Sequence, residues 1–152
     1  MYRNILVAVD GSHTSEIALQ EAVKLAKEFN GQLRIVHVIE TVNFNLDGEF
    51  TDPNDLWDAL RRSGEVILTK AQVAAREAGI DAETKLIEID TLGRRIPEVI
   101  AEEAQTWPAD VIVIGTHGRR GISHLFLGSV AEGVVRVATK PVLLIRGKHV
   151  KS

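Results

Sequence analysis

Residues 111–129 read VIVIGTHGRRGISHLFLGS, an apolar run followed by a glycine-rich loop. The run Val111–Ile114 consists only of valine and isoleucine, which is typical of a strand buried on both faces of a parallel sheet. Glycines then recur at every third position, starting at Gly115, and Gly128-Ser129 ends the stretch. The stretch therefore predicts a buried strand that leads into a loop suited to binding a ligand.

Other short apolar runs occur on both sides of this stretch, and helical patterns lie between them. Strands that alternate with helices form right-handed βαβ units, so we predict an α/β fold. Its architecture is a three-layer sandwich, with a five-stranded parallel sheet between two layers of helices. Val142–Ile145 is continuous and apolar, which predicts burial on both faces, whereas Thr84–Ile89 alternates with charge, which predicts a place near an edge. The other two predicted strands are Ile5–Val9 and Leu33–Ile39.

Composition excludes several classes of protein. The chain has 152 residues, 45% of them hydrophobic, and a formal charge of −3. The absence of cysteine excludes disulfide scaffolds and thiol catalysis, and the acidic balance disfavours a nucleic-acid binder. No apolar run approaches the ~18 residues of a membrane-spanning helix, and no signal sequence is recognisable, so we expect a cytoplasmic protein. We expect one domain over residues 1–147 and a short polar tail over residues 148–152.

The loop after the first predicted strand is the first candidate ligand site. Ligands of open α/β sheets bind where parallel strands end, and Asp10 stands at such an end. Gly11 permits a tight turn there, and Ser12 or Thr14 is suited to cap the next helix. Asp10, Gly11 and Ser12 are therefore candidate ligand contacts. The alternative is purely structural, because any strand-to-helix turn favours these residue types.

The glycine-rich loop is the second candidate site, and its charge favours a polyphosphate. Residues 111–131 contain no aspartate or glutamate, although the whole chain has 21 acidic residues. His117 and Arg119 lie in this loop as candidate phosphate contacts. The helix predicted to begin at Gly128-Ser129 offers free N–H groups to an anion. The alternative is that the glycines only turn the chain; the loop has neither a Walker A motif nor the dinucleotide fingerprint.

With these motifs, the chain resembles the universal stress protein (UspA-type) family from Met1 to Arg146. The ATP-binding members of that family carry the motif G-x2-G-x9-G-[ST] after the fourth strand. Gly115, Gly118, Gly128 and Ser129 match it without a gap. The segments ILVAVDGS near the start and KPVLLIR near the end are also similar to the family.

The resemblance implies a Rossmann-like sheet of the adenine nucleotide alpha hydrolase-like type, with strand order 3-2-1-4-5. In that order Asp10 would lie near the ribose or the adenine, and Val38 would hold the adenine edge through its backbone. Gly115 would approach the ribose, and Gly118 the phosphates. The residues implied to hold the phosphates at the start of the fourth helix are Gly128, Ser129 and Val130.

The resemblance also implies a function and a partner. We expect an ATP-binding stress protein that acts as a nucleotide-dependent sensor or regulator, and a homodimer paired through Val142–Ile145. Any Mg²⁺ would arrive with the nucleotide, because the histidines lack metal-ligand spacing, and no residue is assigned a catalytic role. Two alternatives stay open: a slow ATPase or self-phosphorylating protein, and an interaction module that binds AMP, cyclic AMP or no nucleotide. The long polar loop Glu40–Asp52 is either a lid or a surface insertion.

Overall fold

The computed structural model describes residues 2–40, 53–89, 93–117 and 128–147, and within these ranges strands and helices alternate. The predicted loop between Glu40 and Asp52 and the polar tail lie outside the described residues, apart from Glu40 itself. Helices in the described part of the chain are too short or too polar to cross a membrane. In chain order the elements are β1 (Asn4–Ala8), α1 (His13–Glu28), β2 (Gln32–Glu40), α2 (Pro53–Glu77), β3 (Glu83–Ile89), α3 (Ile96–Thr106), β4 (Val111–Gly115), α4 (Ser129–Val137) and β5 (Val142–Ile145).

The five strands form one parallel sheet in the order β3-β2-β1-β4-β5. This confirms the predicted α/β architecture and the strand order implied by the family resemblance. β1 is central: Val7 lies opposite Ile35 of β2 on one side and opposite Val113 of β4 on the other. β3 lies at one edge of the sheet, as its alternation with charged residues predicted.

Each face of the sheet has its own apolar core, because successive side chains of a strand point to opposite faces. Val7 and Val113 pack with α1 and α2 in one cluster. Leu6 and Ile112, their neighbours in sequence, pack with α3 and α4 in the other cluster. The two layers of helices therefore cover opposite faces of the sheet.

The prediction that Val142–Ile145 is buried on both faces was wrong. β5 lies at an edge of the sheet and has β4 as its neighbour, so helices cover it only in part. Leu143 is 38% exposed. A continuous apolar run is also compatible with an edge strand that this chain leaves partly exposed. Such an edge is prone to pair with a strand of another chain.

A buried carboxylate links α3 to two strands of the sheet. The Glu103 side chain is 6% exposed and accepts hydrogen bonds from Arg34 of β2 at 2.6 Å and from Lys85 of β3 at 2.9 Å. The Arg34 guanidinium also stacks over Trp107, 5.0 Å from its ring centroid. With both carboxylate oxygens paired, the buried charge is compensated and fixes α3 on the sheet.

Glu103→Gln should lower the free energy of unfolding by about 1.5–3 kcal/mol, because hydrogen bonds between charged groups are lost at a buried site. Chemical denaturation measures this change. Glu102→Gln is the matched control, since Glu102 pairs with Arg94 while its side chain is 62% exposed. We expect the control to lose less than about 1 kcal/mol. Equal losses in the two variants would contradict the role of burial.

Candidate functional site

A closed hydrogen-bond network shapes the loop between β1 and α1. The Asp10 carboxylate accepts from the Ser12 N–H at 2.9 Å, and the Ser12 hydroxyl oxygen accepts from the Ser15 N–H at 3.2 Å. The Ser15 hydroxyl donates to the Ser12 carbonyl at 3.0 Å. Gly11 supports the turn with a φ of 84°, a region that favours glycine. Of the two residues suited to cap α1, the structure selects Ser12.

Thr14 packs against the end of β4 instead of capping the helix. A Cβ atom built on Gly115 would lie 2.7 Å from the Thr14 Cγ2 atom and 3.3 Å from the Thr14 carbonyl oxygen. Gly115 therefore allows the first turn of α1 to approach the end of β4. As a result, the loop that begins at Asp10 and the loop that begins at Gly115 lie side by side.

The backbone of Thr116 joins the end of β5 to the start of α4. Its N–H donates to the Ile145 carbonyl at 2.9 Å, and its carbonyl accepts from the Gly128 N–H at 2.7 Å. The Thr116 hydroxyl lies 3.0 Å from Nδ1 of His117. The two ends of the glycine motif, Gly115 and Gly128, are thus held close together although the chain between them is long.

The start of α4 differs from the start of α1. Gly128 is the N-cap residue of α4 and has no side chain to accept a first-turn N–H. In the part of the chain that the structure describes, no other side chain accepts from the N–H groups of Ser129, Val130 or Ala131. These donors, together with the helix dipole, are suited to a bound anion.

The predicted residues of β2 and α4 lie on one face of the sheet. The half-buried side chains of Val38 and Val130 both pack against the α3/α4 cluster. β2 continues to Glu40, whereas β1, paired with it up to Ala8 opposite Val36, ends earlier. Val38 therefore lies beside the space beyond the carboxyl end of β1.

The structure brings together most of the predicted site residues. Asp10, Gly11 and Ser12 form one loop, Gly115 ends β4 with His117 two residues beyond it, and α4 starts beside them. Gly118 and Arg119 lie outside the described residues. Within the described ranges, no group of three His, Asp or Glu side chains is placed to hold a metal ion.

One described cavity lies away from this site. A groove of about 530 Å³ opens at the amino ends of β1 and β2. Its walls contain none of the predicted site residues. The groove lies at the amino ends of the strands, whereas α1 and α4 start near the carboxyl ends. The residues that line it are Arg3, Asn4, Phe29, Asn30 and Gln32.

His37 is a residue near the site to which the sequence analysis gave no role. Its Nδ1–H donates to the Val9 carbonyl oxygen at 2.8 Å, directly before Asp10. A carbonyl oxygen only accepts hydrogen bonds, so Nδ1 carries the proton. The available signal was a single histidine between apolar residues of a predicted strand.

Comparison with known proteins identifies the relatives of this fold and site. A model described as "Universal stress protein family" matches residues 1–146. A universal stress protein of Staphylococcus aureus (strain USA300) is 36% identical over 150 residues, which cover 95% of this chain and 84% of the relative. A family structure from Burkholderia pseudomallei has a TM-score of 0.75 at 33% identity and covers 95% of this chain and 96% of its own. The universal stress protein of Archaeoglobus fulgidus in complex with dAMP has a TM-score of 0.68 at 30% identity and covers 95% and 98%.

Gly115→Ala should destabilise the protein by about 1–3 kcal/mol, because the new methyl group overlaps the Thr14 Cγ2 atom. Adding Thr14→Ser removes that atom while it keeps the hydroxyl group. The double variant should therefore lose less stability than the sum of the single variants, as measured by urea unfolding. Strict additivity would contradict the close contact between the two loops.

Proposed function

The chain belongs to the universal stress protein family, and on that premise we propose that it binds ATP and acts as a nucleotide-dependent sensor or regulator of a stress response. The observation that carries the proposal is the start of α4 beside the end of β4, where no side chain among the described residues accepts from the first N–H groups. This helix start lies in a stretch of 21 residues, 111–131, that contains no acidic residue. N–H donors at a helix start favour a polyphosphate, and Glu132, the one acidic residue in the first turn of α4, is paired with Arg136 at 3.0 Å.

The chain's own residues fit the parts of a nucleotide. The N–H groups of Ser129 and Val130 and the Ser129 hydroxyl would hold phosphate oxygens, and Gly128 would let them approach the helix start. Val38 would meet the adenine through its backbone. Asp10 and Gly115 would flank the ribose between the two adjacent loops, with Gly11 and Ser12 shaping the first of them. The remaining proposed phosphate contacts, from the glycine motif and its loop, are His117, Gly118 and Arg119.

The choice of ATP over a monophosphate rests on charge. The dAMP bound by the Archaeoglobus fulgidus relative supports an adenine nucleotide as the ligand class. Arg119 and Arg120 add two cations to the acid-free stretch, and these would match the charge of a triphosphate better than that of AMP or cyclic AMP. A Mg²⁺ ion would enter with the nucleotide, which supplies most of its ligands. ATP is abundant in the cytoplasm, where we propose that the protein acts.

A second candidate function, slow ATP hydrolysis or self-phosphorylation, is favoured by the pair Thr116 and His117. The Thr116 hydroxyl lies 3.0 Å from an imidazole nitrogen. In self-phosphorylation the γ-phosphoryl group would pass to this hydroxyl oxygen, ADP would leave, and the imidazole would take the hydroxyl proton. Incubation with γ-labelled ATP separates the candidates: label on the protein or in free phosphate indicates catalysis, and bound intact ATP alone indicates a sensor.

We also propose a homodimer through β5. Leu143 is 38% exposed on this apolar edge strand, whose outer side is open to strand pairing. Pairing with a second β5 would bury the edge and complete its backbone hydrogen bonds. A regulator of this kind would also need a protein partner, which the chain's chemistry does not specify.

Ser129→Ala should weaken ATP binding by about 1.5–3 kcal/mol, roughly 10- to 150-fold, because a hydroxyl contact with a charged phosphate is lost. Gly128→Val should abolish binding by closing the approach to the helix start. This variant should fold, because Gly128 has a φ of −65°, which valine also adopts. Calorimetric titration with Mg·ATP measures both effects, after any co-purified nucleotide has been removed and identified.

The matched control is Ser63→Ala, an exposed serine on α2, which should leave ATP affinity unchanged. Retention of wild-type affinity in both Ser129→Ala and Gly128→Val would overturn the proposed site. Absence of any adenine nucleotide binding by the wild-type protein would overturn the proposed function itself.

Leu143→Asp should convert the dimer to a monomer, because a buried carboxylate at the paired edge is strongly unfavourable. Analytical ultracentrifugation measures the mass in solution. Val66→Asp provides the control, since Val66 is 53% exposed on α2 and lies away from β5. A dimer that survives Leu143→Asp would show that another surface pairs the chains.

A further inference from the structure

The ladder of backbone hydrogen bonds between β1 and β2 lacks one bond, or rung, that the pairing of the two strands predicts. Its last rung joins the Val9 N–H to the Val36 carbonyl at 2.9 Å. In a parallel ladder, a residue that donates its N–H to one residue accepts, through its carbonyl, from the N–H two positions further along the same strand. The next rung would therefore join the Val38 N–H to the Val9 carbonyl.

This rung does not form. Among the described residues, no backbone hydrogen bond links Val38 to Val9, although the preceding rung at Val9 is intact. Polar groups alternate between the two sides of a strand, so the N–H and carbonyl of Val38 point to the same side as the Val36 carbonyl. Both groups consequently face the space beyond the end of β1, next to Asp10.

The imidazole of His37 occupies the acceptor that the missing rung would use. Its Nδ1–H donates to the Val9 carbonyl oxygen at 2.8 Å, so this acceptor is satisfied without Val38. The opposite edge of the ring lies under α2, where a Cβ atom on Gly64 would come within 3.1 Å of the His37 Cδ2 atom and 2.7 Å of the Leu86 Cδ1 atom. Glycine within a helix costs about 1 kcal/mol relative to alanine, and here it makes room for the ring.

We propose that His37 is a positioning residue for base recognition: its bond to the Val9 carbonyl replaces the backbone rung and leaves the Val38 N–H available to the nucleobase. This inference rests on the proposed function, and it assigns a side chain to a task that the glycine motif does not perform. His37 acts through Val9 and Val38 and does not itself touch the nucleotide.

The arrangement favours one class of base. The Watson–Crick edge of adenine presents an acceptor, N1, beside the donor amino group, whereas guanine presents an N1–H donor beside the acceptor O6. A free backbone N–H at Val38 pairs with the adenine acceptor and opposes the guanine donor. Loss of the His37 bond would let Val38 turn to the Val9 carbonyl, which would remove the donor that reads adenine.

His37→Leu and His37→Asn form a matched pair of variants, because the asparagine amide can donate from the position of Nδ1 and leucine cannot. In the nucleotide-free protein, amide hydrogen exchange followed by NMR should show a rapidly exchanging Val38 N–H in the wild type and in His37→Asn. Exchange at Val38 should slow in His37→Leu, as the backbone rung forms. Slow exchange in the wild type, or an unchanged rate in His37→Leu, would overturn the replacement of the rung.

Calorimetry with ATP and with inorganic tripolyphosphate provides the second measurement. His37→Leu should weaken ATP binding about tenfold, as expected for one lost hydrogen bond, while tripolyphosphate affinity changes less than about twofold. His37→Asn should restore ATP affinity. Equal weakening for both ligands would reduce His37 to a general structural role and overturn the proposal. If the wild type binds neither ligand, the proposed function fails, whereas the exchange rate of Val38 still decides independently whether His37 replaces the rung.

Discussion

The early end of β1 relative to β2 is the constraint on which the site depends. β1 pairs with β2 only as far as Ala8 opposite Val36, with one further bond from Val9, while β2 continues to Glu40. A central strand that stops first leaves an opening flanked by its neighbours on both sides. The helices that follow β1 and β4 belong to opposite layers, and the described residues after these strands, Asp10–Ser12 and Thr116–His117, flank this opening, which is where open α/β sheets bind ligands.

The helix starts on the two sides of the opening are built differently. In α1, the Ser12 hydroxyl satisfies a first-turn donor, and the loop is closed by its own hydrogen bonds. In α4, Gly128 offers no such acceptor, and its N–H donates to the Thr116 carbonyl at 2.7 Å. The loop before α1 therefore contributes a fixed shape, and the start of α4 contributes N–H donors that are suited to an anion. The close contact between Thr14 and Gly115 holds the start of α1 against the end of β4.

The sequence predicted those parts of the molecule whose pattern has a single physical explanation. The pattern of Val111–Ile114 favoured a buried strand, because its short β-branched run is bounded by Asp110 and Gly115, and the structure confirms it. Val142–Ile145 is also continuously apolar but lies at an edge, since composition reports how apolar a strand is and not whether this chain covers it. The strand order came from the family resemblance, because periodicity does not determine which strands are neighbours.

Details that depend on contacts between distant residues were not predictable. Ser12 and Thr14 are equally suited to cap a helix, and only the approach of Gly115 assigns Thr14 to packing. Gly64 lies within α2, and only the folded structure places the ring of His37 beneath it. The glycine motif predicts a phosphate-binding end of the site, whereas the role that we propose for His37 depends on where the hydrogen bonds between β1 and β2 end. The ligand roles of all the predicted site residues stay predictions, and Gly118 and Arg119 lie outside the described residues.

The peptide groups of Thr116 have a mechanical consequence. One residue holds the last carbonyl of β5 with its N–H and the first N–H of the α4 cap with its carbonyl, so a single Cα atom separates the edge of the sheet from the helix start. A displacement at either bond reaches the other through two rigid peptide groups and the two torsion angles, φ and ψ, that join them. The edge strand at which we propose pairing and the helix start at which we propose anion binding are therefore connected through one residue.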